Sequence, residues 1–329
     1  MKNTIKVGIT LGDANGVGPE IIIKTFLETK SIRNTIFIVY SPVDVIQYYL
    51  KNLNLTLDLN IIDAVSNAEC GKFNIISIDY ERFQLSPGLP SKNTGELAYR
   101  SIAEASKDIL NNSINCIVTA PIDKNTIQNN SFSFHGHTEF FTSIANKKQS
   151  LMLMVKEKLR IGIVTNHIAV KGISEALTEK NIISKINLLN ETLKSDFTIN
   201  NPRIALLALN PHAGDKGLIG NEEINLINPI INSLDNVNIS GPFPADGFFA
   251  SGKHHLYDGI LGMYHDQGLI PFKILSQNQG INFTAGLPFV RTSPDHGTAY
   301  EIAGKNKANH QSFKNAIDLA KEIYLNRVT

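Results

Sequence analysis

Apolar residues in this chain come in short runs bounded by polar turns, and the runs follow two different spacings. Continuous, β-branched runs at 6–11, 35–40 and 114–119 predict strands covered on both faces. Between them apolar residues recur every three or four positions, which predicts helices over 19–28, 43–51, 187–193 and 311–328. Thr94 is expected to cap a helix reaching Leu110, with Leu97, Ile102, Ala105 and Ile109 on one face. Thr138 is expected to cap another, reaching Ala145. The segment 84–93 holds Pro87, Gly88 and Pro90 and reads as an exposed loop. Strands alternating with helices from end to end predict α/β layers around a largely parallel sheet.

Three further apolar runs carry the most informative pattern. They cover 159–164, 204–209 and 259–263, and each is followed at once by a polar turn that contains a histidine: His167, His212 and His265. If the strands are parallel neighbours, the imidazoles project from the carboxyl edge of one sheet, where open α/β sheets bind ligands. Three neutral imidazoles meeting at one point would hold a divalent metal and leave positions open for water or substrate. Asp246 and Asp266 could orient such ligands from behind.

Length and composition narrow the setting. With 329 residues the chain is long for one core, so two domains are expected. A net charge of +1 gives no electrostatic case for nucleic acid or for a membrane surface. The two cysteines, Cys70 and Cys116, make no disulfide framework, and Cys116 reads as a core thiol. The chain runs straight into a strand pattern with no signal-peptide core, and no apolar stretch reaches membrane-spanning length, so a cytoplasmic location is expected.

Other segments could handle a polar, anionic substrate. Gly12-Asp13-Ala14-Asn15-Gly16-Val17-Gly18-Pro19-Glu20 joins a strand to a helix, but its spacing is neither a Rossmann fingerprint nor a P-loop. His135-Gly136-His137-Thr138-Glu139 sets His137 and Thr138 at a helix start, where free backbone N–H groups suit a phosphate or carboxylate. Lys273, Asn282 and Arg291 supply ammonium, amide and guanidinium donors. Asp295-His296-Gly297-Thr298 forms a turn of small residues that a flat ligand could approach closely.

Taken together, these residues resemble the 4-hydroxythreonine-4-phosphate dehydrogenase family of vitamin B6 biosynthesis over nearly the whole chain. The matching segments are Gly12-Asp13 through Gly18-Pro19-Glu20, Thr119-Ala120-Pro121-Ile122-Asp123-Lys124, Gly136-His137-Thr138-Glu139, Asn210-Pro211-His212-Ala213-Gly214, Gly241-Pro242 through Asp246, Tyr264-His265-Asp266-Gln267-Gly268, and Asn282 through Thr298. Ala14-Asn15 departs from the usual Pro-Ala.

The resemblance implies a two-domain α/β fold of the isocitrate and isopropylmalate dehydrogenase type, non-Rossmann, with the active site in the interdomain cleft. It places an outer domain with the cofactor loop at 1–125 plus 276–329, and a central domain with metal ligands and dimer contacts at 126–275. It makes His167, His212 and His265 the ligands of one zinc, cobalt or magnesium ion in a homodimer whose active site is shared, with His265 reaching in from the partner subunit. His137, Thr138, Lys273, Asn282 and Arg291 match substrate-binding positions, and Asp295, His296, Gly297 and Thr298 the loop for the adenosine end of NAD or NADP. The implied reaction oxidises the C3 hydroxyl of 4-phosphooxy-L-threonine to a β-keto acid, which loses carbon dioxide to give 3-amino-2-oxopropyl phosphate. Asp246, Lys273 or a metal-held water remain open as the general base. A paralogous activity on threonate or erythronate 4-phosphate is the nearest alternative, and a three-histidine metallohydrolase the alternative from another class.

Overall fold

The computed structural model describes residues 4–28, 34–129 and 131–329. Its strands are β1 (Ile5–Thr10), β2 (Thr35–Tyr40), β3 (Leu59–Ile62), β4 (Phe73–Ile76), β5 (Cys116–Thr119), β6 (Leu151–Lys156), β7 (Leu159–Thr165), β8 (Ile204–Leu207), β9 (Ile239–Phe243), β10 (Gly259–Tyr264), β11 (Ile281–Ala285) and β12 (Val290–Pro294). The α-helices are α1 (Gly18–Leu27), α2 (Val43–Asn52), α3 (Lys92–Leu110), α4 (His137–Ile144), α5 (Ile173–Ala176), α6 (Glu179–Ser195), α7 (Asn228–Ser233), α8 (Ala245–Ala250), α9 (His265–Ser276) and α10 (Gln311–Val328). The chain divides into two compact units, one of Met1–Asn146 with Leu287–Leu325, the other of Lys147–Gly286 with Asn326–Thr329.

In the first unit the strand order is β3-β4-β2-β1-β5-β12, and every pairing is parallel. Parallel strands are buried on both faces by the helices that connect them, and β5 has no exposed residue. α3 packs on β1, β2 and β5 through its apolar face, which includes Leu97, Ile102, Ala105 and Ile109 as the periodicity predicts. Its cap is not Thr94, however: Ser91 accepts a hydrogen bond from the Thr94 N–H. The helix therefore starts at Lys92, three residues earlier than a Thr94 cap would place it. α4 likewise starts at His137, with Gly136 at the cap position and no side-chain cap, so Thr138 does not cap it. Cys116 is buried in this core, and burial pushes its thiol pKa up to about 12.

The segment before α3 is not a free loop. The Ser86 N–H donates to Asn15 Oδ1, Asn15 Nδ2 donates to the Leu89 carbonyl, and the Gly88 N–H donates to the Asn15 carbonyl. Asn15, one of the two residues that depart from the family pattern, is thus the anchor of this turn.

The second unit has the order β11-β6-β7-β10-β8-β9. β6 is antiparallel to both neighbours, while β7, β10, β8 and β9 are parallel. A core of Met152, Met154, Ile161, Ile163, Ile260 and Phe272, with further apolar residues, lies between the sheet and α8–α9. α9 comes very close to β7 at Gly268, where a Cβ would meet Ile163 Cδ1 at 2.3 Å. That approach fixes the start of α9, and His265 is its first residue.

Candidate active site

β7, β10 and β8 are consecutive parallel neighbours, and each ends just before one of the expected histidines. His167 lies two residues past β7, His265 directly after β10, and His212 on the turn after β8. Gln267 stitches two of these strand ends: its Oε1 accepts from the Met263 N–H at 2.7 Å, and its Nε2 donates to the Ala208 carbonyl at 2.6 Å. Thr165 does the same for the third, donating to the Met263 carbonyl at 2.7 Å.

The His212 turn is backbone held against its preference. His212, Ala213, Asp215 and Lys216 all have positive φ, a conformation that costs an L-residue about 1–2 kcal/mol. Buried Glu223 braces the turn, taking hydrogen bonds from the N–H groups of Leu209 and Asn210 at 2.8 Å and from Asn210 Nδ2 at 2.9 Å. Strain maintained in this way is characteristic of functional sites.

The histidine end of the unit suits a metal. The His167 and His265 ring centres are 5.8 Å apart. A metal bonded through an imidazole nitrogen at about 2 Å lies roughly 3 Å from the ring centre, so this spacing fits two ligands of one ion. His265 Nδ1 meets Asp266 Oδ1 at 2.6 Å. A ring that donates from Nδ1 to a carboxylate turns the lone pair of Nε2 outward, the usual arrangement behind a metal-binding imidazole. Both rings line a recess of roughly 240 Å³ with Asn166, Tyr264 and Asp266. Among the described residues, no three His, Cys, Asp or Glu side chains of one chain come together as a metal-holding group; His212 is exposed on its turn. Asp246 is exposed in the first turn of α8, Lys273 exposed on α9, and Asn282 half-buried on β11 with its Oδ1 buried and lacking a hydrogen bond among the described residues.

The first unit gathers several of the residues expected to bind substrate. Arg291, on β12, is 1% exposed; its guanidinium donates to Thr119 Oγ1 at 2.5 Å and lies 5.7 Å from the Phe141 ring centre. His137 stacks on the same ring at 6.3 Å. Burial, then the charges of Arg291 and Lys124, hold the His137 pKa well below 6.5. The residue is half-buried, but its Nε2 is out of solvent and has no hydrogen bond among the described residues. Thr138, buried, follows at the helix start. A buried guanidinium, an ammonium and an imidazole beside a helix N-terminus supply the charge and donors that a phosphate or carboxylate requires. Lys124, whose charge acts on His137, was not among the site residues expected from the sequence, although it stands in a matched motif.

The Asp295–Thr298 turn rests on the first glycine motif. The Val17 N–H donates to the Thr298 carbonyl at 2.9 Å, and a Cβ at Gly16 would meet that same oxygen at 2.9 Å. Asp13 is fully buried and takes hydrogen bonds from Tyr300, Thr94 and Thr126 hydroxyls at 2.8, 3.1 and 3.4 Å and from the Asn15 N–H at 2.9 Å. Desolvation raises its pKa against those bonds. Glu20 accepts from the Ala308 N–H and from Lys24. The motif, whose spacing is neither that of a Rossmann fingerprint nor that of a P-loop, is a clamp for 298–308. His296 Nδ1 faces the Gly297 carbonyl at 3.0 Å, and its Nε2 is buried and lacks a hydrogen bond among the described residues.

The family described as "Pyridoxal phosphate biosynthetic protein PdxA" matches residues 33–320. A 4-hydroxythreonine-4-phosphate dehydrogenase from Bacteroides thetaiotaomicron is 42% identical over 329 residues, covering 99% of this chain and 90% of its own. A D-threonate 4-phosphate dehydrogenase from Pectobacterium atrosepticum is 36% identical, covering 96% and 98%. Among solved structures, 4-hydroxythreonine-4-phosphate dehydrogenase from Klebsiella pneumoniae superposes with a TM-score of 0.85 at 34% identity, covering 98% of each chain. A β-decarboxylating dehydrogenase from Thermococcus kodakarensis, at 14% identity and a TM-score of 0.50 over 98% of this chain and 83% of its own, shares the fold alone. The α/β class expected from the sequence is the one found, and the chain belongs to the PdxA family of pyridoxal phosphate biosynthetic proteins.

Proposed function

We propose that this chain is a 4-hydroxythreonine-4-phosphate dehydrogenase. It oxidises the C3 hydroxyl of 4-phosphooxy-L-threonine, passing a hydride to NAD or NADP and a proton to a base. The β-keto acid then releases its carboxylate as carbon dioxide, leaving 3-amino-2-oxopropyl phosphate for pyridoxine 5′-phosphate synthesis. The observation that carries this reading is the order β7-β10-β8, which aligns three histidine-bearing strand ends.

His167, His212 and His265 would hold zinc, cobalt or magnesium, which when bound supplies a Lewis acid for the hydroxyl and the ketone. Asp266 fixes the His265 tautomer. Arg291, Lys124, His137 and Thr138 bind the phosphate, and Lys273 and Asn282 add donors for the substrate's other polar groups. Anchoring the charged end limits the reacting carbon to few orientations. Asp246 and Lys273 are the side chains offered for the hydroxyl proton. The Asp295–Thr298 turn receives the adenosine end of the dinucleotide, with His296 Nε2 as an acceptor.

Two imidazoles are neighbours in one chain and the third stands apart. A closed set therefore calls for a ligand from a second copy, here His212 rather than the His265 that the resemblance assigns to the partner, and we take the enzyme to be a homodimer with a shared site. Exposed Ile270 and Ile274 on α9, with Val170 and Leu218 near the histidine turns, support an apolar face for that copy.

The test is dinucleotide reduction by purified enzyme on 4-phosphooxy-threonine and on threonate 4-phosphate, before and after chelation. Faster turnover of the amino-acid phosphate, lost on chelation and restored by a divalent metal, is expected. The Pectobacterium relative motivates the second substrate; faster turnover on threonate 4-phosphate would move the assignment to that activity.

A further inference from the structure

Asn166 stands between the end of β7 and His167 and lines the recess with His167, Tyr264, His265 and Asp266. Its Oδ1 is buried and has no hydrogen-bond donor among the described residues. A buried acceptor without a donor is unfavourable, and such a group in a ligand recess is explained when the ligand brings the donor. On the function proposed above, on which this step rests, the C3 hydroxyl reacts beside these imidazoles. The adjacent carbon carries an ammonium in 4-phosphooxy-threonine and a hydroxyl in threonate 4-phosphate.

We infer that Asn166 accepts a hydrogen bond from that substituent and is the residue that discriminates between the two substrates. An ammonium offers three donors and a full charge, whereas a hydroxyl offers one neutral donor. Charge-assisted hydrogen bonds are the stronger kind, so a recessed amide oxygen with no competing donor favours the amino-acid phosphate. With the amide turned over, its NH₂ would instead favour the carboxylate that both substrates share. That alternative makes a different prediction.

The experiment compares wild type with Asn166→Ala and Asn166→Ser, all as metal-loaded full-length protein with metal content measured. Two readouts are taken: kcat/KM on each substrate, and melting-temperature shifts with each substrate in the absence of dinucleotide. The preference for 4-phosphooxy-threonine is expected to fall roughly tenfold in kcat/KM, an effect typical of one lost polar contact to substrate, and the difference between the two melting-temperature shifts to shrink with it. Values for threonate 4-phosphate are expected to stay close to wild type. Equal losses on both substrates, or an unchanged ratio, overturn the inference. Asn166→Ser keeps a polar group, so a folding defect confined to the alanine variant leaves the test intact. Failure of the proposed function shows separately: the wild type itself then does not oxidise 4-phosphooxy-threonine.

Discussion

At the scale of single residues, the first unit shows how burial changes the chemistry of ordinary side chains. His137 carries a pKa well below 6.5 because burial and two cations oppose its charge. As pH falls through about 6.5 the unfolded chain takes up this proton while the native chain does not, so folding stability declines on the acid side. Urea midpoints across that range should fall less steeply in His137→Gln. Arg291 is held by Thr119 and packed near Phe141. Arg291→Lys keeps the charge but loses the fork, so KM for the phosphorylated substrate should rise roughly ten- to hundredfold, the equivalent of about 1.5–3 kcal/mol, with a smaller change in kcat. Both residues were legible from residue type and neighbours. Asp13, Lys124 and Gln267 were not, because what they do depends on partners distant in sequence: Tyr300 for Asp13, His137 for Lys124, and Ala208 for Gln267.

At the scale of elements, the clamp explains why a glycine motif of unfamiliar spacing precedes α1. Its donors and acceptors face the 298–308 segment rather than solvent: Val17 to Thr298, Asp13 to Tyr300, Glu20 to Ala308. Tyr300→Phe should cost about 1 kcal/mol of stability. The same change should speed amide exchange across 298–308 and raise the dinucleotide KM while leaving phosphate binding unchanged. Equal protection in wild type and variant would count against the clamp. Strands such as β2 were readable from apolar runs, and α10 from its periodicity. Helix starts were misread where a residue three positions upstream made the cap, as Ser91 does for Thr94. The antiparallel insertion of β6 left no mark in its continuous apolar run.

At the scale of the whole molecule, the decisive fact is the sheet order β7-β10-β8, which chain order does not reveal. The apolar runs announced three strand ends with histidines, but their adjacency depends on non-local pairing. Because one chain pairs His167 with His265 and leaves His212 apart, the shared-site reading predicts complementation. His167→Ala and His212→Ala should each be inactive. Co-refolded mixtures should regain roughly a quarter of wild-type activity, since half the dimers are mixed and each carries one intact site; no recovery would point to sites built within single chains. The most direct test of the central claim is anomalous diffraction from crystals grown with a divalent metal and phosphate. The account predicts one peak bonded by the ring nitrogens of His167, His212 and His265 and a phosphate held by Arg291 and His137. Metal bound away from those rings, or phosphate bound elsewhere, would contradict it.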